Sequence, residues 1–248
     1  MVTDRLAQAV RQQLRLGRLL PLGGPGDGAW LTERAADAVL RRAADALPGV
    51  RLGTLRVALA DPQAAAPPAV PAPPSALPPG PLRVEAEFAA TADRPLPVTA
   101  DRLRGALLGA AADRLGLAVE AVDLRVTDVL DEVPEPEPSP ADHPEDREGR
   151  EEGRDEGRED DGSAIAAAVT AVPGVARLAP ALSQRAVRIE GRHVRVELAV
   201  APGHRALDVA RAVRGALAAT APPPATVAVL VTAVDDGGRP SPVRPHQW

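Results

Sequence analysis

The chain has 248 residues, room for one or two domains, with 29 Lys+Arg against 34 Asp+Glu and a formal charge of −5. It contains no Lys, Asn, Tyr or Cys, and its only aromatics are Trp30, Phe88 and Trp248. These gaps exclude disulfides, zinc–thiolate and iron–sulfur centres, thiol nucleophiles and lysine Schiff bases, while the excess of Ala, Arg, Gly and Pro is what GC-rich codons give.

Residues 1–22 read as a basic amphipathic helix. Leu6, Val10 and Leu14 share a face that Leu16, Leu19 and Leu20 extend, and Arg5, Arg11, Arg15 and Arg18 against Asp4 give +3. Such a helix can lie on an anionic membrane, dock on a partner or pack on its own domain. Its arginines interrupt any apolar signal region, so no secretory leader is expected. No window reaches the roughly 18 apolar residues of a spanning helix. The run Gly23-Gly24-Pro25-Gly26-Asp27-Gly28 lacks the Lys-Ser/Thr of a phosphate loop and the preceding strand of a dinucleotide loop. It predicts a flexible connection.

A first unit spans 29–130. Ala35, Val39, Ala43 and Leu47 recur every four residues, one face of a helix that Pro48-Gly49 ends. Pro62 to Pro81 holds nine prolines; this 62–81 insertion should be extended and polyproline-like, without a core of its own. Leu82, Val84, Ala86 and Phe88 alternate with Arg83, Glu85 and Glu87, a strand with one wet face. Thr99 is placed to cap a helix carrying Leu103, Leu107, Ala111 and Leu115, and a strand follows from Val122 to Val129.

Residues 131–162 hold 15 Asp+Glu and 4 Arg, a net −11 that leaves +6 on the rest of the chain. Such a segment buries too little apolar area to offset its ordering entropy, so a disordered acidic linker is expected. A second unit, 163–235, repeats the first: Ala43 to Val50 matches Ala168 to Val175, Leu82 to Phe88 matches Val194 to Val200, Leu103 to Leu107 matches Val213 to Leu217, and Val122 to Val129 matches Val227 to Val234. Four blocks in one order indicate duplication. Here Glu190-Gly191-Arg192 separates two strands as a tight hairpin, and the proline tract occupies the equivalent hairpin tip of the first unit. Residues 236–248 read as a disordered tail.

The expected fold is therefore α/β, of the α+β two-layer kind. It has two α-β-β-α-β units, each a small three-stranded mixed sheet with helices on one face. The crossover between parallel strands is right-handed.

Several patterns resemble the alkaline-shock / general-stress envelope protein family. They are the Ala-rich helix ending in Val172-Pro173-Gly174-Val175, the strand Arg192 to Leu198, and the helix Asp208 to Arg214 leading into the strand Thr226 to Val234. The likeness covers the second unit almost completely and the first with its insertion. It implies small non-enzymatic domains serving cell-envelope homeostasis and stress, often held near the membrane by a partner.

No catalytic constellation, cofactor site or metal site is expected. Ser75, Ser139, Ser163, Ser183 and Ser241 lie outside any nucleophile elbow. His143 sits in the linker and His246 in the tail. His193 and His204 bracket the second-unit strand; a pH-responsive pair is one reading, and a strand start and a loop the plainer one. Gly105 and Gly215 occupy matching mid-helix positions, where glycine costs about 1 kcal/mol relative to Ala. A close backbone approach would account for both, as would codon bias.

The function expected is a non-enzymatic envelope-stress or scaffold protein, cytoplasmic or peripheral at the inner face of the membrane. It would act through a protein partner, a membrane anchor or homologous family members. An Arg-rich nucleic-acid-binding module is the second reading, weakened by scattered arginines and few stacking aromatics. A fibrillar structural protein is the third.

Overall fold

The computed structural model describes residues 17–131, 156–220 and 226–236. Arg5, Leu6, Val10, Arg11, Leu14 and Arg15, most of the acidic linker and the tail from 237 lie outside the described residues. In chain order the elements are β1 (Leu19–Leu22), β2 (Ala29–Thr32), α1 (Glu33–Asp45), β3 (Val50–Leu59), β4 (Leu82–Thr91) and α2 (Leu96–Gly109), which continues as a π-helical turn over Ala110–Leu115. Then come β5 (Val119–Leu130), α3 (Glu156–Thr170), β6 (Val175–Leu178), β7 (Val187–Glu190), β8 (His193–Val200), α4 (Ala206–Ala218) and β9 (Thr226–Val234).

The chain is a mixed α+β fold built from the predicted α-β-β-α-β unit twice. In the first unit β3 and β4 pair antiparallel and β4 and β5 parallel. In the second, β6 and β7 both pair antiparallel with β8, as two pieces of one interrupted strand, and β8 pairs parallel with β9. Both Pro-Gly steps take the left-handed turn that only glycine adopts without strain, Gly49 at φ 78° and Gly174 at φ 91°. A side chain at Gly174 would sit 2.6 Å from Val209 Cγ2. Gly191, at φ 60°, makes the tight hairpin between β7 and β8.

The two units interlock. β1 and β2 form an antiparallel pair at the N-terminal end, and β2 then joins the second unit's sheet in parallel beside β9, with Trp30 opposite Leu230. The larger sheet thus runs β1-β2-β9-β8-β6, with β7 also on β8. Thr32 secures the junction: its hydroxyl accepts from Ala35 N to cap α1 and donates to the Thr232 carbonyl on β9. Inner faces of both sheets and all four helices share one apolar core, including Leu20, Leu31, Leu40, Phe88, Leu103, Leu107, Leu198 and Leu217.

Three expectations are corrected. Leu19 to Leu22 is a buried strand, not the end of a helix, because Pro21 cannot donate within a helix interior while an edge strand tolerates it. Helix α3 starts at Glu156, inside the stretch expected as linker. Helix α2 starts at Leu96 behind Pro95, so Thr99 lies inside it and caps nothing; Pro97 in the first turn has no helical partner to lose. The proline insertion, expected to have no core of its own, packs on the rest of the chain. It folds over the second face of the larger sheet, where Val70 packs on Leu19, Trp30, Ala228 and Leu230. Trp30 Nε1 donates to the Leu77 carbonyl at 3.3 Å. That sheet is therefore covered on both faces, by helices on one and by prolines on the other.

Candidate functional site

The covered face holds a polar group that alternation alone would place in water. Along β8, Val194, Val196, Leu198 and Val200 enter the main core. Arg195 and Glu197 point the other way, yet Glu197 is 1 % exposed and the Arg195 side chain 14 %. Residues 179–186, which interrupt the strand between β6 and β7, wrap around Glu197. Its carboxylate accepts from Ala181 N at 2.5 Å and Leu182 N at 2.9 Å, with Ser183 Oγ at 3.5 Å. Its backbone N–H and carbonyl bond Ala186 O and Ala179 N. A buried carboxylate held by backbone amides organises this loop.

Beside it lies a cavity of about 370 Å³. Pro71, Pro73 and Pro74 of the insertion make one wall, Ala181 and Leu182 a second, and the β7–β8 hairpin the third. The hairpin register sets Arg188 opposite Arg195 and Glu190 opposite His193, and all four line the cavity. Arg188 Nε donates to Glu190 Oε1 at 2.7 Å. Arg195 Nε makes an ionic contact with Glu197 Oε1 at 3.4 Å, but this buried N–H forms no hydrogen bond. His193 Nδ1 is 2.7 Å from Thr226 Oγ1. Burial lowers the His193 pKa from its ordinary value; Glu190 opposes that shift and Arg195 adds to it.

The residues singled out from sequence fare unevenly. Arg18 is committed to its own domain, its guanidinium donating to Glu33 Oε1 and the Val57 carbonyl. It is removed from the proposed membrane or partner face, because β1 begins one residue later. Gly105 and Gly215 approach nothing: a Cβ built on either meets no atom within 4 Å. Both face solvent, and the close-packing explanation falls. His193 and His204 stand at or beyond opposite ends of β8, an eight-residue strand roughly 25 Å long, so the two rings are not neighbours; His204 Nδ1 is 3.1 Å from the Pro202 carbonyl. The Gly23–Gly28 connection is clamped, not loose. Arg211 forks onto the Asp27 carboxylate at 2.7 and 3.0 Å, and Arg214 donates to the Gly26 and Asp27 carbonyls. The Arg211 hydrogen bond lowers the Asp27 pKa against a smaller opposing effect of burial.

Arg188, Glu190, Arg195 and Glu197 escaped the sequence reading because they look like the wet face of an alternating hairpin. The available signal was Val70 and Leu77, isolated apolar residues in a proline tract with nothing local to pack on.

A second feature is an open edge. β1 is covered by the insertion, with Leu19 N donating to Ser75 O and Leu77 N to Leu19 O. β3 carries a bulge between Leu52 and Leu55, and Arg41 donates to its Gly53 carbonyl. β6 and β7 are short and interrupted. β5 is the other long edge strand: its pairing with β4 is irregular at Glu120 and Thr127, and Arg104 donates to its Val122 carbonyl, but among the described residues no strand pairs with its outer side. Its Val126 and Val129 are 39 % and 50 % exposed. By the repeat, β5 corresponds to β9, whose outer edge takes β2 in parallel.

No helix among the described residues is long and apolar enough to cross a membrane. No family model, no curated protein and no solved structure matches the chain.

Proposed function

We propose that the protein is a non-enzymatic scaffold acting through protein–protein contacts, in the manner implied by its resemblance to the alkaline-shock / general-stress envelope protein family. It would work in the cytoplasm, at or near the inner face of the membrane. The observation that carries this reading is the outer edge of β5, with which no strand of the described residues pairs. The equivalent edge of β9 is completed by an added parallel strand, so the unit's architecture accommodates one there. Glu120, Asp123 and Asp128 against Arg125 make β5 acidic. The fitting partner is an extended segment alternating apolar and basic residues, bound by strand addition.

The nucleic-acid reading loses ground for a physical reason. Arg18, Arg41, Arg42, Arg104, Arg177, Arg205 and Arg211 are paired with carboxylates of this chain, which reduces the charge available to phosphates.

A photo-cross-linking side chain at position 126 of the full chain tests the proposal in cells. One dominant protein adduct is expected, lost when Val129→Asp is added while the melting temperature stays unchanged. Absence of an adduct, or an adduct indifferent to Val129→Asp, defeats it.

A further inference from the structure

We propose that the cavity between the proline insertion and the β7–β8 hairpin binds the carboxylate of a ligand with a small apolar group, the Arg195 guanidinium providing the fork. Three independent features converge on this. First, an antiparallel register normally avoids like charges directly opposite each other, yet Arg188 faces Arg195 here. Glu190 neutralises Arg188. Glu197 Oε2 accepts from two backbone N–H groups, and its Oε1 lies 3.4 Å from Arg195 Nε in an ionic contact that is not a hydrogen bond. Second, the buried Arg195 Nε–H has this ionic contact but makes no hydrogen bond, which is costly unless a better-placed acceptor is supplied. A planar carboxylate offers two acceptor oxygens at the spacing of a guanidinium edge. Third, the opposite walls are Pro71, Pro73, Pro74 and Leu182, apolar surfaces suited to a short hydrocarbon or a small side chain.

Charge argues for carboxylate over phosphate. The two arginines and two glutamates around the cavity sum to zero, so a monoanion is tolerated where a dianion would repel Glu190 and Glu197. The volume, near the lower end of the range for small-molecule sites, admits a short carboxylic acid or the last one or two residues of a peptide. Both sources present the same group. His193, held by Thr226, closes the polar side of the site.

The test uses the full chain labelled with ¹⁵N-histidine, which carries four His. Hexanoate, hexanamide, inorganic phosphate, and an apolar tripeptide with a free or amidated C-terminus are titrated in turn. Hexanoate or the free-acid tripeptide should shift the His193 resonances saturably and leave His204 in place. The amide forms and phosphate should not. Response to hexanoate alone assigns a small-molecule ligand, and response to the free-acid tripeptide alone assigns the C-terminal tail of a protein. Arg195→Gln should weaken binding at least about tenfold. Should that variant not fold, Arg195→Lys keeps the charge, loses the fork and should also weaken binding. Equal response to hexanoate and hexanamide, equal response to phosphate, unaltered affinity in the folded Arg195 variant, or no saturable shift at millimolar probe overturns the proposal.

Discussion

Replacing Gly105 and Gly215 by Ala should stabilise the protein, opposite to what a close-packing role would give. Both residues are interior to regular helices, α2 and α4, and neither has a positive φ. A methyl group at either site meets no atom within 4 Å. No clash offsets the gain, so the expected effect is the helix-propensity difference, about 1 kcal/mol per site. The sites lie on different helices and share no partner, so the double variant should gain about 2 kcal/mol. For a chain of this size that is a rise of about 4–8 °C in melting temperature. Urea unfolding followed by circular dichroism should show a higher midpoint with an unchanged slope. A loss of stability at either site would refute the reasoning, since it would require a contacting surface, such as a second copy of the chain, at that helix face.

Two further outcomes concern the covered face. Glu197→Ala should cost about 3–5 kcal/mol, because it strands the Ala181 and Leu182 N–H groups and leaves Arg195 buried without a counter-charge; an unchanged urea midpoint would count against the described network. His193, its pKa lowered below 6.5 chiefly by burial, should titrate by NMR below that value. The unfolded chain then takes up the proton at higher pH than the folded one. This group's contribution to stability is complete above about pH 6.5 and is lost as pH falls toward the folded pKa. A His193 midpoint at or above 6.5 would contradict the geometry.

The repeating unit was legible because its elements obey local rules. Leu103, Leu107, Ala111 and Leu115 fall on one helical face, and all four are buried. The alternation in β4 and β8 gave the strands, and the Pro-Gly steps gave the turns. The interlock was not legible. Leu19-Leu20-Pro21-Leu22 and Ala29-Trp30-Leu31-Thr32 are buried throughout, so they show no two-residue alternation and merge with neighbouring helical patterns. Which strand β2 would pair with depends on contacts far away along the chain. The candidate site was hidden for a related reason: Arg195 and Glu197 are buried by a proline segment that has no periodicity of its own.

The pairing of β2 with β9 also bears on how the chain comes to be folded. Thr32 bonds a residue 200 positions later. At roughly 5–20 residues per second, the ribosome delivers that partner some 10–40 s after β2 has emerged. During that interval Trp30 and Leu31 have β1 on one side but no strand on the other, and the proline insertion has no completed sheet to cover. The N-terminal half is thus a strand donor waiting for its acceptor. An acidic connection that repels other copies of itself is well placed to keep the waiting half from pairing with a neighbouring nascent chain.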